Sequence, residues 1–178
     1  VARRALPLIL AAALAGGGCA SGGNSGPATG DGASAVAPAP EPNSSRQARV
    51  ERVVDGDTVV VEAGGRRDRV RLTGIDTPET VKPDSEVECF GPEAGARAAE
   101  LLDGARVRLE YDVETTDRYG RQLAYVFRTA DGLFVNEALL RGGYAERFRT
   151  TPNRRYVDRL IAAEAAAQRA GAGLWGAC

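Results

Sequence analysis

Alternating apolar and polar positions begin near residue 48 and organise the rest of the chain. The stretch "ARVERVVDGDTVVVEAG", residues 48–64, sets Val50, Val53, Val59, Val60 and Val61 on either side of Asp55-Gly56-Asp57. β-Branched residues favour strands and Asp-Gly favours a tight turn, so the pattern predicts two strands joined at the acidic turn. After the "AGGRR" turn, a third strand is expected from about Asp68 to Ile75. In "ARVRLEYDV", residues 105–113, Val107, Leu109, Tyr111 and Val113 share one face, while Arg106, Arg108, Glu110 and Asp112 share the other. Period-2 alternation of that kind reads as a half-buried strand. Arg121 to Arg128, with Leu123, Tyr125 and Phe127 alternating, is a fifth.

Helical spacing appears between and after these strands. "GPEAGARAAELLDG", residues 91–104, has Pro92 near its start, Glu93 in the first turn and Gly104 as a stop. Its Ala94, Ala98, Leu101 and Leu102 form one apolar stripe. "VNEALLRGG", residues 135–143, predicts a short helix ended by glycines. A third is expected over residues 151–171, capped by Thr151 with Pro152 in its first turn. Five strands with one helix inserted and two following give an all-β-dominated α+β fold. A five-stranded, partly open barrel with about three helices points to an OB-fold.

The N-terminal segment follows different rules. Arg3-Arg4 precede an apolar run from Ala5 to Ala15, too short to span a bilayer but suited to a signal peptide. "AGGGCAS" follows and resembles a bacterial lipoprotein signal, in which Cys19 is lipidated and becomes the new N-terminus. Gly16 stands where such signals carry Leu, which leaves simple secretion as the other reading. Residues 20–47 are Gly, Ser, Ala, Pro and Asn with almost no large apolar side chain. Such a stretch buries too little surface to offset its ordering entropy. The expected organisation is a signal peptide at 1–18, a flexible tether at 19–47 and a folded domain at 48–178. The protein is expected to be exported, held at the membrane or envelope by its lipid or otherwise secreted, and monomeric. With Cys19 assigned to lipid, Cys89 and Cys178 remain, and an exported compartment favours their pairing over two free thiols.

Composition narrows the chemistry. The 178 residues carry a formal net charge of -1, so no global basic field advertises nucleic acid. There is no histidine, which excludes histidine bases, nucleophiles and metal ligands. The polar residues interrupting strand ends are Asp55, Asp57, Arg71, Asp76, Thr77 and Glu79, then "TDRYGR" at 116–121. Acidic residues grouped without histidine point to a hard cation with oxygen ligands, Ca²⁺ or Mg²⁺. Arginines in reach suit a bidentate clamp on phosphate, and a glutamate beside them suits activation of water. Together they describe metal-assisted attack on a phosphodiester. Taken singly, each motif is an ordinary turn or solvated loop.

"VVDGDTVVV", "VRLTGIDTPET", "FGPEA", "TTDRYGRQLAYVF", "VNEALLRGGYA" and "GLW" occur in the order seen in the thermonucleases, and over about residues 48–176 the chain resembles the staphylococcal nuclease family. The resemblance implies an OB-fold and a Ca²⁺-dependent phosphodiesterase that cleaves DNA and RNA, single-stranded or locally opened, leaving 3′-phosphate ends. By motif, Asp57 and Asp76 match the Ca²⁺-binding carboxylates, and Thr77 matches a residue that offers its backbone carbonyl. Glu79 matches the general base, and Arg71 and Arg121 match the arginines on the scissile phosphate. Arg118 and Tyr119 match positions near the terminal phosphate of the nucleotide. Asp55 matches an acidic residue near the metal but outside its direct ligands. Two pocket-lining tyrosines of the family fall at Phe148 and Thr150; Phe148 retains a ring that stacks on a base, and Thr150 does not. Arg147, Arg149, Arg154 and Arg155 form either a basic rim or a solvated helix face. The competing reading is a non-catalytic OB-fold lipoprotein module that only holds nucleic acid or protein.

Overall fold

Strand β1 (Ser45–Asp55) turns at Gly56-Asp57 into β2 (Thr58–Ala63), and β2 pairs antiparallel with β3 (Arg66–Leu72). The structure is a computed structural model and describes residues 38–80 and 88–178. The expected signal peptide at 1–18, the lipidated Cys19 and most of the tether lie outside the described residues. After a short β4 (Ile75–Asp76) come helix α1 (Gly91–Leu102), β5 (Arg106–Glu110) and β6 (Gln122–Arg128). β5 pairs with β1 and β6, and β6 runs parallel to β3, which closes the barrel in the order β1-β2-β3-β6-β5. The chain ends with α2 (Val135–Arg141), β7 (Glu146–Arg147), α3 (Val157–Ala170) and a single turn, α4 (Leu174–Ala177). β7 pairs with β4 in a small separate sheet.

The barrel forms because alternate positions of each strand point inward. Val50, Val59, Val61, Val70, Leu72, Val107, Leu109, Ala124 and Val126 are all fully buried. Burial of a valine or leucine side chain contributes roughly 1.5–3 kcal/mol, so this set dominates the stability of the barrel. α1 buries the expected stripe of Ala94, Ala98, Leu101 and Leu102. Phe127 stacks on Phe134 at 4.6 Å, and Tyr156 meets the edge of Tyr125 at 4.9 Å, joining β6 to the segment leading into α3.

Several expectations change in detail. β1 starts at Ser45, inside the segment assigned to the tether, because Ser45, Arg46 and Gln47 pair with Glu110, Leu109 and Arg108. The strand expected to reach residue 113 ends at Glu110, and Val113 is 59% exposed. Glu110 and Asp112, assigned to the solvated face, are buried. Tyr156 Oη donates to Glu110 Oε2 at 2.6 Å and the Arg155 amide donates to Asp112 Oδ2 at 2.9 Å, so the segment before α3 covers that face. The third helix starts at Val157 rather than at Thr151. Thr151 Oγ1 accepts only the Asn153 amide, while the Asn153 side chain bonds both backbone groups of Glu114, which holds this segment out of the helix. Cys89 and Cys178 form a disulfide.

Candidate active site

The β1–β2 turn carries Asp57, which is 1% exposed. Asp57 Oδ1 accepts the Thr58 hydroxyl at 3.0 Å and its Oδ2 accepts the Thr77 amide at 3.0 Å. Gly56 makes this approach possible, because a Cβ there would stand 2.7 Å from the Thr77 side chain. Strand register sets Arg71 opposite Thr58, one residue along from Asp57. The Arg71 guanidinium bridges two carboxylates, with Nη1 on Asp57 Oδ1 and Nη2 on Asp76 Oδ1. Asp55 turns back to accept the Asp57 amide at 3.1 Å.

Burial pushes the Asp57 carboxyl up to about 7, against the pull of Arg71, and Asp55 adds to the rise. A half-exposed partner, Asp76, completes the bridge at the cleft mouth. Glu79 lines the same cleft of about 210 Å³ with Asp55, Asp57, Arg71, Asp76 and Glu88. Its backbone is clamped by Glu88. The Glu79 amide donates to Glu88 Oε2 at 2.9 Å, and the Glu88 amide donates to the Glu79 carbonyl at 3.0 Å. The Thr80 amide donates to Glu79 Oε1 at 2.9 Å. α1 abuts this segment directly: a Cβ on Gly91 would lie 2.6 Å from Thr80 and 3.2 Å from the Pro78 carbonyl.

Arg71 also lines a second, larger cleft of about 510 Å³, with Arg118, Tyr119, Arg121, Phe148 and Thr150 along it. Arg121 Nε donates to Asp117 Oδ2 at 2.7 Å, and the Arg121 amide donates to Asp117 Oδ1 at 3.0 Å. Burial opposes ionisation of Asp117, but these bonds and the Tyr119 amide hold its carboxyl below the ordinary carboxylate value. The Tyr119 ring is 67% exposed and lies under two cations, Arg118 at 4.7 Å and Arg121 at 5.5 Å. The basic rim proves to be divided. Arg147 is tied to Glu164 at 2.7 Å, and Arg155 bonds Asn43 and faces Glu110.

The family described as staphylococcal nuclease homologue matches this chain over residues 69–177. The chain belongs to the staphylococcal nuclease family. A thermonuclease of Staphylococcus hyicus is 41% identical over 127 residues, 71% of this chain and 74% of that protein. A thermonuclease of Staphylococcus intermedius is 43% identical over 126 residues, with the same coverage of each chain. The endonuclease YncB of Bacillus subtilis is 38% identical over 141 residues, 75% of this chain and 66% of that protein.

For this member of the nuclease family, the donors at the acidic cleft suit a hard divalent cation. Two carboxylates meet at one guanidinium, Thr77 adjoins Asp76 in sequence, and the cleft holds no nitrogen or sulfur ligand of the softer kind. Among the described residues, no group of three or more His, Cys, Asp or Glu side chains stands together in a metal-holding arrangement. Asp57 and Asp76, the two expected carboxylate ligands, meet at Arg71, while Asp55, expected outside the direct ligands, accepts the Asp57 amide. Sequence reasoning missed Glu88, Asp117 and Asn136. Asp117 sits inside the quoted "TTDRYGR" and its spacing to Arg121 is the one available signal. Glu88 and Asn136 give no local signal, since their partners lie nine and sixty-three residues away.

Proposed function

We propose that this chain is a Ca²⁺-dependent endonuclease that hydrolyses DNA and RNA to 3′-phosphate ends, exported and held at the cell envelope through a lipid on Cys19. Membership of the staphylococcal nuclease family makes it a nuclease, and nucleases of this family generally depend on a metal. The observation that carries the reading is the position of Arg71, which lines both the acidic cleft that holds Glu79 and the arginine-lined cleft that holds Arg121. A phosphodiester lying across Arg71 meets a carboxylate base on one side and a second guanidinium on the other.

Asp57, Asp76 and the Thr77 carbonyl are the groups that would hold the cation. Bound there, Ca²⁺ supplies charge neutralisation for a non-bridging phosphate oxygen and for the carboxylate pair. Glu79 is placed to accept a proton from the attacking water. The water oxygen bonds to phosphorus, the P–O5′ bond breaks, and the 5′ oxygen leaves to take a proton from solvent. Arg71 and Arg121 stabilise charge growing on the phosphoryl oxygens. Asp117 fixes the plane of Arg121 for that task. Tyr119 and Arg118 flank the terminal phosphate, and Phe148 offers its ring to a base.

The test is digestion of single-stranded DNA in Ca²⁺ or in chelator by the parent protein, Glu79→Gln and Arg121→Ala. Cleavage should stop in chelator and fall by about three orders of magnitude or more in each variant, as loss of a preorganised transition-state contact does. Full activity in chelator, or in both variants, would refute the mechanism. A folded, Ca²⁺-loaded parent that binds DNA without cutting it would favour the non-catalytic module instead.

A further inference from the structure

We propose that a second nucleotide subsite lies on the far side of Phe148, where Arg149 and Arg154 hold the phosphate of the neighbouring residue of a single strand. This rests on the nuclease reading and extends it from one nucleotide to the path of the polymer. A separate cavity of about 200 Å³ is lined by Arg149, Arg154, Phe148 and Ile161, and it shares Gly74, Phe148 and Thr151 with the larger cleft. Phe148 is therefore the common wall, 45% exposed, with a face available to a stacked ring. Ile161 is 44% exposed and continues the apolar surface on α3.

The charge state of this cavity is what singles it out. Glu164, its buried acidic neighbour, is already satisfied by Arg147, which gives it an amide bond at 2.8 Å and a guanidinium bond at 2.7 Å. Arg149 stands 3.8 Å from Glu164 with its side chain 71% exposed, so its guanidinium remains open to another anion. Arg154 is exposed, and its guanidinium makes no hydrogen bond or ion pair with any described residue. Two under-neutralised guanidiniums beside an apolar wall, next to a cleft that takes one nucleotide, match the next phosphate and its base or sugar. A duplex does not suit it, because the base must leave its stack to reach the Phe148 ring.

Fluorescent oligothymidylates test this on the full chain carrying Glu79→Gln to prevent cleavage. A six-residue oligothymidylate and a labelled thymidine mononucleotide are titrated against that protein with and without Arg149→Ser and Arg154→Ser together. Both arginines are exposed, so the fold should tolerate the change, and circular dichroism checks it. The six-residue probe should bind about tenfold more weakly, and the slope of its log affinity against log salt should fall by about 0.7, the value for one lost single-strand phosphate. Affinity for the mononucleotide should stay the same. An unchanged six-residue affinity and slope, or equal weakening of both probes, would overturn the subsite. If the Arg149- and Arg154-bearing protein binds neither probe in Ca²⁺, the nuclease reading itself falls and the subsite with it.

Discussion

Asp57 answers to two opposed demands. It is buried against the Thr77 amide, which costs its charge solvation, and it must present that charge to Arg71 or to a cation. Its folded value of about 7 lies above the unfolded value of about 3.9, so the folded state keeps a proton that the unfolded state releases. The stability this proton confers is complete below about pH 4 and is lost as pH rises through about 7. A divalent cation must displace the same proton. Ca²⁺ affinity measured by calorimetry should therefore strengthen from pH 5 towards about 7 and then level off. Asp57→Asn should bind more weakly and lose most of that slope; a parent affinity flat across the range would contradict the assignment. The acidic turn was legible in "VVDGDT", yet its contact with Thr77 was not, because the two are joined only when β4 folds back over the turn.

At the scale of elements, the site depends on how the β3–β4 turn is held. Thr73 and Gly74 carry the chain from Arg71 to Asp76, with Gly74 at φ 79. Asn136 of α2, fully buried, donates to the Thr73 carbonyl at 2.9 Å and accepts the Val126 amide at 2.9 Å. One side chain thus fastens the turn to β6, and the Thr73 amide adds a bond to Ala124. Asn136→Leu leaves both buried backbone groups without that partner, so it should cost about 2–4 kcal/mol in urea unfolding. Loss of under about 0.5 kcal/mol would mean the turn is held otherwise. Alternation located β1, β2 and β6, since a period of 2 is a local signal, but in β6 Ala124 and Val126 are fully buried and Leu123, on the expected face, is not. It failed for Glu110 and Asp112, where the distant Arg155 and Tyr156 decide burial, and for the start of α3, where Asn153 prefers the backbone of Glu114.

The whole domain is closed by a covalent tie. The Cys89–Cys178 bridge spans 89 residues, linking the segment just before α1 to the end of α4. By the chain-entropy argument, a loop of that size is worth up to about 5 kcal/mol, mostly by restricting the unfolded chain. The double variant Cys89→Ser, Cys178→Ser should therefore show a clearly lower Tm than the oxidised parent, and the parent treated with reductant should match it. Equal melting of oxidised and reduced parent would remove the bridge from the stability account. Glu88, the clamp on the Glu79 backbone, is next to Cys89, so the same tie bears on the mouth of the acidic cleft.

The amino-acid order by itself determined what depends on near neighbours: the strands, the first helix, the absence of histidine chemistry and the run of motifs that fixes the family. It also carried the pairing of Cys89 with Cys178, because few cysteines leave few choices. Only the tertiary structure decided which charges meet. Asp57, Arg71 and Asp76 share one bridge because β2 and β3 lie in register and β4 returns beside them. Of the four arginines at the rim, only closure of α3 against β7 showed that Glu164 pairs closely with Arg147 at 2.7 Å, while Arg149 stands 3.8 Å from it and stays exposed. The deciding pairs, Arg71 with Asp57 and Arg147 with Glu164, join residues on different elements, and local pattern holds no record of them.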